Sequence, residues 1–241
     1  LRLLENISFP QGNNKYTAQD GYLYGNNGTE LIYVVPTKTQ IEIGEDVQTI
    51  KRYAIQNRNI TELNIPNNVA TIESVIFRNT TNLTKIHIGS GVSNLSSRFK
   101  SWSNIPNGLE IEIDGNNKNY KVENNLILNY EGTEVVTYVD GNVQSQLIPE
   151  GVEKIREQAF LGSTVNEIEL PSTLTEIGRA AFDACTNLTS IEIPSSVGTI
   201  GDNAFANCSN LETIRINKAE ADLAGAPWGA PKGDRVLVWS E

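Results

Sequence analysis

A fixed repeat of 22 to 23 residues constrains this chain more than any other feature. Between residues 147 and 216, three copies of one pattern align, each running from a short apolar strand through a proline to an Ala-Phe pair. The prolines of the three copies are 22 and 23 residues apart: Pro149, Pro171 and Pro194. A period of this length is typical of stacked-repeat proteins, because no single unit buries its apolar face alone.

The apolar positions of one copy, or coil, predict which side chains face the interior. They are Leu188, Ile191, Ile193, Val197, Ile200, Ala204 and Phe205. Gly201-Asp202 predicts a short helical turn, and proline ends each strand because it has no N–H to donate. With strands about 4.8 Å apart, we expect a parallel sheet on one side, short helical or irregular segments on the other, and a long curved surface.

Two stretches interrupt the period and echo each other about 104 residues apart. In the first, β-rich runs flank Gly25-Asn26-Asn27-Gly28, which predicts a β-hairpin. In the second, Gly132-Thr133-Glu134 repeats Gly28-Thr29-Glu30. Further strand cores are predicted at residues 41–43, 63–65, 86–88 and 111–113.

These patterns predict one continuous solenoid made of two modules and a cap. The first module takes residues 1–113, with a hairpin insert at about 14–36, and the second takes residues 114–218, with an insert at about 117–140. Residues 219–241 lose the repeat, and we expect them to cap the open sheet edge. Because Leu4, Ile7 and Phe9 match the middle of a coil, we expect another coil upstream, in a longer or processed protein.

Charge and residue content narrow the functional classes. A formal net charge of −10 disfavours binding to nucleic acid, which depends on Lys and Arg, or to an anionic membrane surface. No apolar run approaches the roughly 18 residues of a membrane-spanning helix. One histidine and the lack of nucleophile-elbow, phosphate-loop or zinc-helix motifs argue against an enzyme.

Cys185 and Cys208 occupy equivalent places in adjacent coils. Stacking would bring them within disulfide range, but equivalent side chains run parallel, which is poor geometry for the bond. Since cysteine also fills buried apolar sites well, we expect two free buried thiols. Together with the single His87 they are too few ligands for a metal site, and we expect no cofactor.

The full pattern reads Leu-x-x-Ile-x-Ile-Pro-x-x-Val-x-x-Ile-Gly-x-x-Ala-Phe-x-x-Cys and resembles the BspA-like bacterial leucine-rich repeats. The coils from Ile168 and Ile191 match it nearly in full, whereas Lys51-Arg52 stands where Gly would follow Ile50. The resemblance implies a mostly β, α/β-repeat fold: a right-handed leucine-rich-repeat solenoid with a parallel sheet, two hairpin inserts and a C-terminal cap. It also implies a secreted or cell-surface bacterial protein that acts in adhesion and host interaction.

Outward strand positions are the first candidates for partner contact. They include Glu62, Lys85, His87, Glu112, Glu167, Glu169, Glu192 and Arg215, together with Glu42 and Asn64. With the coils in register, Glu167, Glu169 and Glu192 would form an acidic stripe able to hold a basic patch of a protein partner. The alternative is a solvated polar face with no ligand.

Aromatic residues of the inserts are the second candidates. They are Tyr16, Tyr22, Tyr24, Tyr33, Tyr120, Tyr130 and Tyr138, with Trp102 in a degenerate coil. Exposed Tyr and Trp suit protein hot spots and sugar stacking, but the same rings can simply cover the sheet edge.

The sequence therefore predicts a non-catalytic protein-binding module, acting through its curved sheet face on a host or bacterial surface protein. One alternative is a carbohydrate-binding segment, which predicts exposed Tyr or Trp platforms on one face. The other is a structural spacer without its own ligand.

Overall fold

The computed structural model consists of short β-strands and turns. It describes residues 7–9, 13, 15–56, 59–77, 79–99, 108–139, 143–220, 223–231 and 237–239. The chain divides into two compact units, Leu1–Tyr120 (unit 1) and Lys121–Glu241 (unit 2). Within the described ranges there is no α-helix, and a 3-10 turn is formed at Asn26–Gly28. The predicted mostly β solenoid with a period of about 23 residues is confirmed.

The part of unit 1 that the structure describes contains nine strands. They are β1 (Tyr16–Gln19), β2 (Tyr22–Gly25), β3 (Glu30–Val34), β4 (Thr49–Ile50), β5 (Glu62–Ile65), β6 (Thr71–Ile72), β7 (Lys85–Ile88), β8 (Asn94–Leu95) and β9 (Glu110–Ile113). Strands β1, β2 and β3 form an antiparallel meander, and β3 continues in parallel into β4, β6 and β8. We call this the short-strand sheet. Strands β5, β7 and β9 form a separate parallel sheet, the long-strand sheet.

Unit 2 repeats this plan, with its first strand beginning on the last residue of unit 1. The strands are β10 (Tyr120–Glu123), β11 (Leu126–Asn129), β12 (Glu134–Tyr138), β13 (Ser145–Leu147), β14 (Lys154–Ile155), β15 (Glu167–Glu169), β16 (Glu176–Ile177), β17 (Ser190–Ile193), β18 (Thr199–Ile200), β19 (Thr213–Ile216) and β20 (Leu237–Trp239). The short-strand sheet runs β10-β11-β12-β14-β16-β18. The long-strand side is split into two sheets, β13-β15 and β17-β19-β20.

Side chains along the long strands alternate between the interior and solvent, as a strand with one covered face requires. In β5, Leu63 and Ile65 are buried, whereas Glu62 and Asn64 are exposed. All seven positions predicted to face the interior of the coil from Leu188 to Phe205 are buried. The repeat therefore located the apolar core correctly.

A column of stacked rings, the ring ladder, fills the interior of unit 2. Phe160 lies 5.3 Å from Tyr138 and 5.2 Å from Phe182, measured between ring centroids. Phe182 lies 5.5 Å from Phe205, which meets Trp228 edge-on at 6.4 Å. Parallel stacking of identical coils thus brings the phenylalanine of every Ala-Phe pair into contact with the next one.

Glycine after the short-strand isoleucine permits close approach between coils. A Cβ atom added to Gly178 would lie 2.5 Å from the backbone N of Glu157, and one added to Gly201 would lie 2.5 Å from the backbone N of Arg179. Real Cβ atoms do not approach backbone atoms so closely, so the Ile-Gly pair of the repeat is a packing requirement in these two coils.

Two sequence expectations about secondary structure were wrong. Residues 41–43 do not form a strand, although Ile41 is buried. The backbone N–H of Glu42 donates instead to the Tyr22 hydroxyl, at 2.9 Å, and is not available for a strand ladder. The helical turn expected at Gly201-Asp202 is a non-helical turn that follows β18.

Each insert contains one strand more than the predicted hairpin. The additional strands β1 and β10 connect to the next strand through Asp20-Gly21 and Asn124-Asn125, all with positive φ. Such pairs form the tight turns that join antiparallel strands. The predicted free thiols are confirmed, because Cys185 and Cys208 are both buried and unbonded.

Candidate interaction surfaces

The long-strand sheet of unit 1 presents two outward rows of polar side chains. Strand pairing places Glu62, Lys85 and Glu110 in one row and Asn64, His87 and Glu112 in the next. Four of the predicted site residues, Glu62, Lys85, His87 and Glu112, are therefore brought together on this face.

Lys85 is the centre of the charge pattern on that face. Its Nζ lies 2.7 Å from Glu112 Oε1 and 3.8 Å from Glu110 Oε2, and His87 Nδ1 lies 3.8 Å from Glu112 Oε2. The hydrogen bond between Lys85 and Glu112 raises the pKa of Lys85 and lowers the pKa of Glu112. Both groups are therefore charged at neutral pH, and the face presents mixed charge.

In unit 2 the predicted acidic stripe is not formed by strand pairing. Glu167 and Glu169 lie on β15, which pairs with β13, whereas Glu192 lies on β17 in a separate sheet. Glu192 stands opposite Arg215 and accepts a hydrogen bond from Asn217 Nδ2 at 2.7 Å. Strands β15 and β17 nevertheless lie beside each other, so the stripe of Glu167, Glu169 and Glu192 stays a prediction.

Two exposed apolar side chains on the same face were missed by the sequence analysis. Leu147 is 54% exposed and pairs with Glu169, and Val238 is 42% exposed and pairs with Arg215. Beside Leu147, Gln146 takes the inward position and donates from Nε2 to the Asn124 carbonyl at 2.8 Å. The sequence did indicate that Leu147 faces outward. Leu147 precedes Ile148-Pro149 in the same way as the outward Glu192 precedes Ile193-Pro194.

The insert tyrosines do not form a single exposed platform. Tyr22, Tyr120 and Tyr138 are buried, Tyr130 is exposed, and the others are half-buried: Tyr16, Tyr24 and Tyr33. Trp102 lies outside the described residues. Tyr53, which the sequence analysis did not select, is exposed and carries Arg52 over its ring at 4.8 Å.

Unit 1 also contains a groove between the meander and the loop that follows it. We call it the meander groove. Its volume is about 900 Å³, and it is lined by β1, β2 and residues 37–47. The Tyr22 and Tyr24 rings stack in its wall with centroids 6.0 Å apart, and Lys38 Nζ lies 4.7 Å from the centre of the Tyr22 ring. Burial, together with Tyr22 and Asp20, raises the pKa of Tyr24.

The described ranges contain neither a candidate metal site nor a candidate membrane-spanning helix. No group of three or more His, Cys, Asp or Glu side chains there is arranged to hold a metal ion. No helix in those ranges is long and apolar enough to cross a bilayer.

Comparison with known proteins identifies the family. A model of the BspA type leucine-rich repeat region matches residues 35–126 and 135–223, in six copies. The chain belongs to the BspA-type leucine-rich-repeat family. The matched ranges contain the long-strand sheets of both units up to β19 and the two-residue parallel strands of the short-strand sheets, so BspA-type coils build the long-strand faces. No curated protein matches the chain.

Solved leucine-rich-repeat structures share this fold. One from Eubacterium ventriosum has a TM-score of 0.63 and 20% sequence identity, over 84% of this chain and 60% of that protein. The BspA-type chain thus spans less than two thirds of that protein's length. A leucine-rich repeat protein from Bacteroides capillosus gives a TM-score of 0.45 at 20% identity, over 51% of this chain and 99% of that one. A leucine rich cell surface protein from Faecalibacterium prausnitzii gives a TM-score of 0.46 at 14% sequence identity, over 96% of this chain and 96% of that one.

Proposed function

We propose that this BspA-type chain is a non-catalytic protein-binding module of a secreted or cell-surface bacterial protein. Its partner, a host or bacterial surface protein, docks on the outward rows of the long-strand sheets. The observation that supports this most directly is the exposed Leu147, which lies beside Glu169 on the outward side of the β13-β15 sheet. An apolar side chain with polar neighbours can supply the desolvated core of an interface whose rim is polar.

The charges on the two faces would select the partner. In unit 1, Glu62 and Glu110 flank Lys85 in one row, so this face complements a partner with basic groups on either side of an acidic one. In unit 2, Glu167 and Glu169 add negative charge next to Leu147. Charge complementarity of this kind gives specificity and speeds association, while buried apolar contact supplies the affinity.

Binding to an array of host matrix proteins, bacterial surface proteins and glycans tests the proposal. The wild-type chain is compared with Leu147→Ser and with the double variant Glu167→Lys, Glu169→Lys. We expect both to weaken a protein hit by about tenfold or more, the loss typical of a central interface residue.

Val122→Ser is the matched control, because Val122 is an exposed apolar residue of β10 and not of a long-strand sheet. A protein hit weakened equally by Val122→Ser, or unchanged in the Leu147 and Glu variants, would exclude the sheet face. A hit on glycans alone would favour the carbohydrate alternative, and no hit of any kind would favour the spacer.

A further inference from the structure

The meander groove has the chemistry of a receptor for cations. We propose that it binds a Lys or Arg side chain from a basic peptide segment of a partner protein. This site is separate from the long-strand faces and does not depend on them, although both would serve a protein-binding module.

Carboxylates dominate the lining of the groove. Asp20, Glu42, Glu45 and Asp46 are all exposed along it, and among the described residues of its lining Lys38 is the one cationic side chain. The walls exclude part of the solvent, so the field of these carboxylates is focused into the groove. A cationic ligand is attracted there, and an anionic one is repelled.

The aromatic wall already holds an ammonium group. Lys38 Nζ lies 4.7 Å from the Tyr22 ring centre, within the range of a cation–π contact. The Tyr22 ring is held in place, because its hydroxyl accepts the N–H of Glu42. Gly21 leaves room for the lysine stem, since a Cβ at that position would lie only 3.3 Å from Lys38 Cε. The chain's own lysine therefore shows which ligand chemistry this ring face accepts.

A second ring extends the surface beyond Lys38. Tyr24 lies next to Tyr22 at an interplanar angle of 15° and is half-buried, so it adds a second, nearly parallel ring to the groove wall. A guanidinium group is planar and stacks on such a wall, while its N–H groups donate to carboxylates at the rim. Glu45 and Asp46 provide acceptors on the loop side.

The charge of the lining distinguishes this ligand from a sugar. Exposed neutral side chains such as Thr17, Gln19 and Thr39 also line the groove and would bond either a peptide or a glycan. A neutral sugar can donate hydroxyl groups to the carboxylates but gains no charge attraction, whereas a cation gains both and an acidic sugar is repelled. The balance of charge therefore favours a basic peptide.

Isothermal titration calorimetry with a blocked peptide of alternating Arg and Gly tests the inference, with a Gln and Gly peptide as the uncharged probe. Glu45→Gln with Asp46→Asn should weaken binding of the Arg peptide by about tenfold, as expected for loss of close charge partners. Lys38→Gln should strengthen it about threefold or more, because the variant removes a like charge and uncovers the Tyr22 ring.

The matched control is Glu131→Gln with Glu220→Gln. It removes the same charge from exposed positions of unit 2. Affinity should stay within about twofold of wild type, since neither residue lines the groove. Circular dichroism of every variant verifies that the β fold is intact.

Four outcomes would overturn the inference. Equal weakening by control and groove variants would show that the peptide responds to the net charge of −10. Weaker binding of the Arg peptide to the Lys38→Gln variant than to wild type would exclude a cation site. So would tighter binding of a neutral oligosaccharide than of the Arg peptide to the wild-type chain. Loss of peptide binding only in the Glu167→Lys, Glu169→Lys variant would place the peptide on the sheet face, which leaves the proposed function standing.

Discussion

The two units of this chain build the same coil with different interiors. Unit 2 fills its central column with rings, Tyr138 through Trp228, each in contact with the next. At the equivalent positions of unit 1, strand bridges join Val34 to Ile55 and Ile55 to Phe77. The coil therefore requires an apolar side chain at this position but not an aromatic one.

The units also differ at the residue after the short-strand isoleucine. Unit 2 has Arg156, Gly178 and Gly201, whereas unit 1 has Lys51 and Glu73, whose side chains form an ion pair at 2.5 Å. In unit 2 the absent side chain lets neighbouring backbones approach closely. In unit 1 charged side chains at the same place pair along the surface. The backbone of the coil therefore accommodates either a glycine or a charged side chain at this position.

The largest effect that we expect comes from the ring ladder. Phe182 is fully buried between two rings, so Phe182→Ala should cost about 3–5 kcal/mol of unfolding free energy. Phe182→Leu should cost about 1–3 kcal/mol through the two lost ring pairs, while Phe77→Leu should cost less than about 1.5 kcal/mol. Urea unfolding followed by circular dichroism measures the loss, and hydrogen exchange assigns it to a unit. Equal costs for the two leucine variants would show that stacking adds nothing beyond burial.

A smaller loss is expected from filling the close contact between coils. Gly201→Ala would place a Cβ 2.5 Å from the backbone N of Arg179, and separating the coils should cost about 1–3 kcal/mol. Gly198→Ala is the control in the same coil, because its nearest neighbour would be the Thr175 carbonyl at 3.9 Å. It should be neutral or stabilising by up to about 1 kcal/mol in thermal unfolding. A harmless Gly201→Ala would contradict the packing role of the Ile-Gly pair.

The smallest pair of effects should have opposite signs in the two units. Thr80 and Ser163 are both buried, and each lies three residues after the ring position of its coil. Among the described residues Thr80 Oγ1 has no hydrogen-bond partner. Ser163 Oγ, in contrast, accepts the N–H of Val165 at 3.2 Å. Thr80→Val should therefore stabilise unit 1 by about 1 kcal/mol, and Ser163→Ala should destabilise unit 2 by a similar amount. Chemical denaturation of both variants measures the signs, and a destabilising Thr80→Val would contradict the comparison.

The period predicted what is local to one coil. Apolar spacing located the inward side chains and the strands at residues 63–65, 86–88 and 111–113, because each position has the same neighbours in every coil. The two-residue strands of the short-strand sheet were missed, since alternation cannot be recognised over two residues. The extra strand β1 had a readable signal in Asp20-Gly21, one of the strongest hairpin turns.

The remaining errors arose from contacts that the period does not encode. The strand expected at residues 41–43 was lost to the Tyr22 hydroxyl, and the split of the long-strand side between β15 and β17 was not foreseen. The meander groove depends on the packing of a loop against a meander, which follows from neither pattern alone. Both interaction surfaces were therefore only partly predictable.

The meander at the head of each short-strand sheet has a consequence for how the chain folds. Gly25 pairs with Glu30, five positions away, whereas Thr49 pairs with Thr71, twenty-two positions away. Closing the longer loop costs more conformational entropy, and a hairpin forms within about 1–10 μs. The antiparallel strands are thus the first that the chain can assemble, and β3 and β12 then offer an edge on which the slower parallel pairs form. Each unit carries its own template for folding.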